Sequence, residues 1–246
     1  MNFTILRFDA LGSTNTEAIN QARSGADEGL CILARRQTEG RGRHGRTWIS
    51  ETDSGLYFSI VLRPKIEAKH LSLITLMTGV VVCDALGELG IKADIKWVND
   101  LLVGEKKISG ILAETAETSK GIAVIVGIGV NLTSANFPDE IADTATSIKD
   151  ETGLSLTPDQ FAETLTKFFS YFYDILCGDD GGREIIGEWK RRSSYFSGKS
   201  VRVVLENETF TGITDGIESN GALRIRRDNG NITVVQSGDV EKLRAE

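Results

Sequence analysis

The sequence has few cysteines and no excess of positive charge. Its three cysteines, Cys31, Cys83 and Cys177, lie far apart and form no Cys-x-x-Cys pair, so neither a disulfide framework nor a zinc site is indicated. Lys and Arg number 28 against 35 Asp and Glu, for a formal net charge of −7. A broad basic face that would bind a polyanion is therefore not expected.

Long apolar runs are also missing. No segment contains 18 uninterrupted apolar residues, and the N-terminus has no charged lead followed by a long apolar core. We therefore predict that the protein has no membrane segment and is cytoplasmic, where its cysteines would stay reduced. The content of 40% hydrophobic and 26% charged residues is typical of an ordinary globular protein.

The apolar residues that are present divide the chain into two parts. Short apolar runs alternate with helical patterns up to about residue 192, and only strand-like runs follow. Strands are predicted at residues 3–8, 30–35, 56–62, 101–103, 107–114 and 122–130, and helices at 17–22, at 71–89 and from Pro158 onward. Further strands at 201–205, 209–213, 222–225 and 232–235 predict a small all-β barrel. We expect an α+β fold with two domains, residues 1–192 and 193–246.

Residues 40–46 read Gly-Arg-Gly-Arg-His-Gly-Arg, and we call this segment the glycine–arginine loop. It combines three glycines with up to four positive charges in an acidic chain, and it has no apolar side chain. Glycines let backbone amides approach a ligand closely, and guanidinium groups pair with phosphate or carboxylate oxygens. The loop therefore predicts recognition of a small anion, while a solvated surface loop is the plainer alternative.

Two phosphate-binding patterns also match this loop, but their surroundings do not fit. Gly40, Gly42 and Gly45 satisfy G-x-G-x-x-G, and the continuation into Arg46 and Thr47 comes close to a P-loop. Both motifs need a helix directly after the glycines, whereas residues 47–55 lead into a strand-like run. Neither a dinucleotide fold nor a P-loop is expected.

Two strand ends carry further candidates. Lys96 alternates with Ile95 and Trp97, so on a strand its side chain projects from the face opposite those apolar neighbours. Lys96 is therefore either a solvated lysine or a catalytic one. Gly127 and Gly129 weaken a strand unless something approaches its backbone closely. The two glycines therefore indicate either a β-bulge or a ligand that lies over the strand end.

Taken in order, these segments resemble the biotin protein ligases, and the match covers nearly the whole chain. The matching residues are Ser13-Thr14-Asn15, Gln37, the loop glycines and arginines with Trp48, Lys96-Trp97-x-Asn99-Asp100, Lys107-x-x-Gly110-Ile111-Leu112, and Gly127-x-Gly129-x-Asn131. One departure is Val98, which stands where the family frequently has Pro and removes a constraint on φ.

This resemblance implies a fold. A catalytic domain with a mixed β-sheet and flanking helices, of the biotin/lipoate ligase type, would be followed by a small SH3-like β-domain. The matching pattern begins within the first dozen residues, so the resemblance also points to the monofunctional type that lacks an N-terminal DNA-binding domain.

The resemblance implies an ATP-dependent ligase as well. Such an enzyme activates biotin as biotinyl-5′-AMP and transfers it to a lysine of a biotin carboxyl carrier domain. ATP and biotin would be the substrates, Mg²⁺ would be required, and a homodimer is one expected assembly. Lys96, Arg41 and Arg43 would be the catalytic residues, placed between the biotin carboxylate and the α-phosphate of ATP. Metal ligands are not assigned.

Individual contacts follow from the same resemblance. Biotin contacts are implied for Ser13, Thr14, Asn15, Gln37, Gly40, Arg41, Lys96, Gly110 and Leu112. Contacts with ATP or the adenylate are implied for Arg41, Gly42, Arg43, Arg46, Trp48, Lys96, Asn99, Lys107, Gly129 and Asn131. Thr14 has an alternative role, because Thr14-Asn15-Thr16-Glu17 is a capping-box sequence that would start a helix.

Two other functions stay open. A lipoate or octanoate ligase would share the fold and the adenylation chemistry, but its Arg-Arg-x-Gly-Gly-Gly-Ala-Val-x-His-x-Asp signature is absent. A nucleic-acid-binding module would use Arg41, Arg43 and Arg46 as phosphate contacts and the C-terminal barrel as a second platform. The net negative charge argues against that module, so no nucleic-acid partner is expected.

Overall fold

The computed structural model describes residues 1–242 and contains two β-sheets. The strands of the first sheet are β1 (Thr4–Phe8), β2 (Leu30–Ala34), β3 (Gly55–Leu62), β4 (Asp94–Lys96), β5 (Asp100–Val103), β6 (Lys106–Thr118) and β7 (Gly121–Asn131). Their spatial order is β1-β2-β3-β7-β6-β5-β4. Strands β1 and β2 are parallel and the other neighbouring pairs are antiparallel, so the sheet is mixed, as predicted.

Helices cover both faces of this sheet. They are α1 (Thr14–Arg23), α2 (Leu73–Gly87), α3 (Asp139–Ala142), α4 (Ile148–Thr152), α5 (Pro158–Leu176) and α6 (Gly181–Arg192). Helix α1 packs on β2, β3, β6 and β7 and forms a small hydrophobic cluster on one face of the sheet. On the other face, α5 contacts β3 and α2 contacts β6, and both helices belong to the larger hydrophobic core. Helices α2, α5 and α6 also pack against one another.

Strand β3 lies between these two layers of helices, and all eight of its residues are buried. Its side chains alternate, so that Leu56, Phe58 and Ile60 join the larger core beneath α2 and α5. Ser59 and Val61 face α1 instead. The alternation therefore places one polar side chain, Ser59, directly beneath the N-terminal end of α1.

Helix α2 is apolar on all sides because it is the central helix of the core. By length and composition alone, the segment Ala68–Gly87 would be long and apolar enough to cross a membrane. In the folded protein, 67% of that window is buried against other elements. Its composition is therefore that of a core helix.

The second sheet consists of β8 (Ser197–Val204), β9 (Thr209–Ile217), β10 (Leu223–Arg227), β11 (Ile232–Val235) and β12 (Asp239–Lys242). It is antiparallel, in the order β11-β10-β9-β8-β12. The predicted fold class, a mixed sheet with flanking helices followed by a small β-domain, is confirmed. Residues 243–246 of the predicted second domain lie outside the described residues.

Some elements differ from the sequence prediction. Helix α1 begins at Thr14, three residues before the predicted start, and β6 continues to Thr118. Helix α6 and strand β12 have no counterpart among the predicted elements. Helix α6 is mostly polar and buries only a narrow stripe that includes Ile185 and Trp189, while β12 is stabilised by pairing with the distant strand β8.

Candidate active site

Two adjoining cavities lie where the glycine–arginine loop, the first sheet and the second sheet meet. The larger cavity has a volume of about 460 Å³ and the smaller one about 130 Å³. They share a wall formed by Thr47, Trp48, Tyr57, Asp100 and Lys107. A molecule that filled both cavities would therefore pass beside Trp48 and Lys107.

Most of the predicted site residues line these two cavities. The smaller cavity is lined by Ser13, Thr14, Asn15, Gln37, Arg41, Gly42, Arg43, Arg46, Trp48, Asn99, Lys107, Gly110, Leu112 and Gly129. Lys96 and Asn131 line the larger cavity, as do Trp48 and Lys107. Gly40 lines neither cavity. It is buried at the base of the loop, where its carbonyl oxygen accepts a hydrogen bond from the backbone N–H of Trp48.

Part of the wall of the smaller cavity carries a chain of uncharged polar side chains. Gln37 Oε1 accepts hydrogen bonds from the backbone N–H of Thr14 (2.8 Å) and from its hydroxyl (3.1 Å). Ser59 Oγ lies 2.8 Å from Thr14 Oγ1 and 2.6 Å from Asn15 Oδ1. The buried Ser59 thus connects two neighbouring residues of α1 that face the cavity.

Helix α1 does start at Thr14, but the capping-box hydrogen bonds predicted for this residue are absent. Ser13 precedes the helix in an extended conformation, and its side chain makes no capping hydrogen bond. Gln37, from the chain segment after β2, satisfies the first backbone donor instead. The hydroxyl of Thr14 therefore faces Gln37 and Ser59 inside the site.

Strand β7 contains no bulge at its glycines, so that alternative is also wrong. Its register with β3 and with β6 runs unbroken through Gly127 and Gly129. A Cβ atom on Gly127 would lie 2.2 Å from Asn15 Oδ1, and one on Gly129 would lie 2.4 Å from Trp48 Cε2. Glycine is required here because side chains of the protein itself lie against the strand.

Trp48 stands between the two cavities. Its ring lies over Gly129 and close to Gly110, where an added Cβ would be 3.0 Å from Trp48 Cζ3. Lys107 Nζ lies 5.4 Å from the ring centroid on the shared wall. Within the part of the chain that the structure describes, the buried Trp48 Nε1 has no acceptor. A buried donor of this kind at a cavity wall is available to a ligand.

The glycine–arginine loop contains only a single turn of 3₁₀-helix at Arg43–Gly45, and the chain then runs on to β3. The expectation that no phosphate-binding helix follows the glycines is therefore confirmed. Arg41 extends from the loop to the carboxylate of Glu114 on β6, with a distance of 2.7 Å between its guanidinium and Glu114 Oε2. The loop is thus tied to the first sheet by a charged hydrogen bond.

The second sheet holds the other end of the loop. Arg43 donates to Asn99 Oδ1 at 3.1 Å and to the carbonyl oxygen of Gly238 at 3.4 Å. Arg46 forms an ion pair with Asp239, the first residue of β12. Burial lowers the pKa of the Arg43 guanidinium, while the neighbouring Asp239 raises it. Burial therefore penalises the charge of Arg43, and an anion in the smaller cavity would offset that penalty.

The lysines of the site differ in their partners. Lys107 Nζ lies 2.6 Å from Asp100 Oδ1, so its charge is paired. Lys96 lies at the end of β4 with both Ile95 and Trp97 buried, and within residues 1–242 its side chain makes no ion pair or hydrogen bond. The side chain projects into the larger cavity, on the face opposite its apolar neighbours. The peptide bond between Trp97 and Val98 is cis.

Several residues around the site were missed by the sequence reasoning. Ser59 had a local signal, because it is the one polar residue in the run Gly-Leu-Tyr-Phe-Ser-Ile-Val-Leu. Glu114 and Asp239 carry no motif of their own, and only their contacts with Arg41 and Arg46 reveal them. Lys199, on β8, lines the larger cavity from the second sheet. No local pattern connects it to residues of the first sheet.

Comparisons with known proteins identify a family for this chain. Residues 8–131 match the Biotin/lipoate A/B protein ligase family, and residues 196–243 match the Biotin protein ligase C terminal domain. The bifunctional ligase/repressor BirA of Bacillus subtilis is 34% identical over 96% of this chain and 73% of that protein. The biotin–[acetyl-CoA-carboxylase] ligase of Paracoccus denitrificans is 33% identical over 89% of this chain and 92% of that protein.

A solved structure extends the likeness to the whole fold. The biotin protein ligase of Aquifex aeolicus in complex with biotin and ATP shares 30% identity and superposes with a TM-score of 0.85, covering 98% of this chain and 99% of that one. The overall fold is therefore common to the two proteins. The chain belongs to the biotin/lipoate A/B protein ligase family and, within it, to the biotin protein ligases.

Proposed function

We propose that this protein activates biotin with ATP and transfers it to a lysine of a biotin carboxyl carrier domain. The observation that carries the proposal is the pair of adjoining cavities. The smaller one ends in uncharged hydrogen-bonding side chains, the larger one has room for a nucleotide, and arginine and lysine side chains lie around their junction. Biotin and ATP are the two ligands that the Aquifex aeolicus relative binds.

The smaller cavity is assigned to biotin. The ureido ring of biotin offers N–H donors and a carbonyl acceptor, and it needs a matching set of neutral polar groups. The wall of this cavity supplies such groups from Ser13, Thr14, Asn15 and Gln37. The valeryl chain would then lie along Gly110 and Leu112, and its carboxylate would reach the junction at Trp48.

The larger cavity is assigned to ATP. Trp48 supplies an aromatic face and an unused N–H donor, and Asn131 lies on the cavity wall. The amide nitrogen of Asn131 donates to the carbonyl oxygens of Lys107 and Thr146, so this side chain also holds the wall together. Aromatic stacking and a few polar groups are the usual means of holding a nucleobase.

Positive charge at the junction makes the first step possible. The biotin carboxylate must attack the α-phosphorus of ATP, and two anions about 4 Å apart repel each other by about 4 kcal/mol at an effective dielectric of 20. We assign Arg41, Arg43 and Lys96 to the neutralisation of this repulsion. Lys96 is the strongest candidate for the developing charge, because its ammonium has no carboxylate partner within residues 1–242.

Lys199 adds positive charge from the second sheet. Its ammonium donates to Ser194 Oγ at 2.7 Å and lies 4.7 Å from the ring centroid of Tyr195. Both partners are neutral, so the charge of Lys199 stays available to a phosphate in the larger cavity. We propose that Lys199 contacts the terminal phosphates of ATP.

Mg²⁺ enters this proposal as part of the nucleotide substrate. Among residues 1–242, no three His, Cys, Asp or Glu side chains cluster as a metal site. Mg²⁺ usually keeps several waters and binds through substrate phosphates with one or two carboxylates. Asp94 and Asp100 are carboxylates that line the larger cavity and could take that part.

The loop has a second task, which is protection of the intermediate. Biotinyl-5′-AMP is a mixed anhydride that water hydrolyses readily, and closure over it would exclude water until the acceptor lysine arrives. The acceptor is a biotin carboxyl carrier domain of a carboxylase, in line with the names of the relatives. A homodimer and a cytoplasmic location stay predictions.

Pyrophosphate exchange with purified protein, ATP and Mg²⁺ tests the proposal. Biotin, lipoate and octanoate would be compared at equal concentrations, followed by label transfer to a carrier domain. Exchange that depends on biotin alone is expected. Exchange with lipoate or octanoate would favour the lipoate ligase alternative. No exchange with any of the three acids would favour the nucleic-acid-binding alternative.

A further inference from the structure

Glu114 is a carboxylate beside the proposed biotin site that has no assigned role. It lies in the middle of β6, and its oxygen Oε2 accepts hydrogen bonds from two donors at once. One donor is Asn15 Nδ2 and the other is the guanidinium of Arg41, each at 2.7 Å. Glu114 therefore joins a side chain of the smaller cavity to a side chain of the glycine–arginine loop.

The carboxylate does not touch the smaller cavity itself. It lines a neighbouring open cleft, formed by residues 38–47 with Leu112 and Glu114. Any effect of Glu114 on a ligand in the smaller cavity must therefore pass through Asn15 or Arg41. The amide of Asn15 is fixed from both sides, because its oxygen faces Ser59 Oγ at 2.6 Å while its nitrogen donates to Glu114.

The position of the pair decides what it can do. Arg41 and Glu114 are 73 positions apart in the sequence, and their side chains are 41% and 27% exposed. The first residue belongs to a glycine-rich segment and the second to a long strand of the sheet. An ion pair between a glycine-rich segment and a rigid strand stabilises one position of that segment, here the position that covers the smaller cavity.

We infer that Glu114 is a positioning residue that holds the glycine–arginine loop closed over the activated biotin. The inference rests on the proposed function, because it concerns escape of biotinyl-5′-AMP from the site. Loss of the carboxylate leaves Arg41 without its partner, so the closed loop becomes less populated and the adenylate leaves faster. Partly exposed ion pairs of this kind change equilibria by about two- to fivefold, and we expect a change of that size in the escape rate.

The test is the dissociation rate of added biotinyl-5′-AMP, which requires no catalysis by the variant. The full-length parent, Glu114→Gln, Arg41→Gln and the double variant would be compared by tryptophan fluorescence, with Glu117→Gln as matched control. Glu117 lies on the same strand and is exposed. We expect faster dissociation for Glu114→Gln, no change for Glu117→Gln, and no further increase when Glu114→Gln is added to Arg41→Gln.

Salt provides a second readout that a merely structural role would not move. Screening weakens an exposed ion pair, so dissociation from the parent should accelerate with added NaCl, whereas dissociation from Glu114→Gln should respond less. Unchanged dissociation in Glu114→Gln, or additive effects in the double variant, would overturn the inference. Absence of biotin-dependent pyrophosphate exchange in the parent and in Glu117→Gln would instead overturn the proposed function.

Discussion

The contact between Trp48 and the glycines beneath it predicts a graded effect on ATP binding. In Gly129→Ala, the new Cβ would lie 2.4 Å from Trp48 Cε2, a distance at which one of the two must move. The backbone of Gly129 is not in the left-handed region, so alanine itself fits the strand, and the three atoms nearest to the new Cβ all belong to the Trp48 ring. We expect the ring to be displaced from the junction of the two cavities.

The size of the effect follows from the cost of overpacking. Extra methyl groups in packed sites typically cost 1–3 kcal/mol, which corresponds to roughly a 5- to 150-fold rise in the KM for ATP if the cost is paid on binding. Gly110→Ala should have a smaller effect, because its Cβ would lie 3.0 Å from Trp48 and 3.1 Å from the flexible side chain of Lys107. Trp48 is only half-buried, so it can move without a large loss of overall stability.

Pyrophosphate exchange at varied ATP, together with thermal unfolding of each variant, provides the assay. Gly87→Ala is the matched control, because this exposed helix residue would place its Cβ within 4 Å of no other atom. The expected order of KM for ATP is parent and Gly87→Ala, then Gly110→Ala, then Gly129→Ala. An unchanged KM in Gly129→Ala, or a larger effect in Gly110→Ala, would refute the assignment of Trp48 to the nucleotide.

Three further substitutions and one control variant separate the steps of the reaction. Lys96→Ala should reduce biotin-dependent pyrophosphate exchange by roughly 100-fold, because this cation faces the larger cavity. Calorimetry should still detect biotin binding. Equal activity in the variant and the parent would show that Lys96 takes no part in the chemistry. Arg43→Ala should release more biotinyl-5′-AMP, measured as label on bystander lysines, because it anchors the loop to the second sheet, and no rise would count against closure. Lys199→Ala should raise the KM for ATP but not for biotin. Lys190→Ala is the matched control, because the ammonium of Lys190 also lies 4.7 Å from an aromatic centroid. Since Lys190 does not line the larger cavity, this variant should change neither the KM for ATP nor the KM for biotin.

Much of the fold could be read from the sequence because its signals are local. The buried strand β3 is a continuous apolar run, and the long helix α5 repeats apolar residues at helical spacing behind a proline at its first turn. Helix α6 escaped detection because it buries only a narrow stripe, and β12 escaped because it depends on pairing with β8. Local periodicity reports such elements poorly.

The site was predictable in part for the same reason. The glycine–arginine loop is recognisable in the sequence by its charge and glycine content, and Lys96 by its position at a strand end. The structure places both at the two adjoining cavities. The capping-box reading of Thr14 failed because Gln37, brought close only by folding, takes the same backbone donor. The predicted bulge at Gly127 is absent. Glycine is needed there because the side chain of Asn15 occupies the space that a Cβ atom would take.

The sequence by itself determined the chemistry that this protein can carry: a cationic loop rich in glycine, a lysine between two apolar residues at a strand end, and neither a Cys-x-x-Cys pair nor an excess of positive charge to support another class of function. Only the tertiary structure decided how those groups are held. Glu114 meets Arg41 across 73 positions, and Gly238 meets Arg43 across 195. Such contacts depend on distances between strands and sheets, which no local pattern of residues encodes.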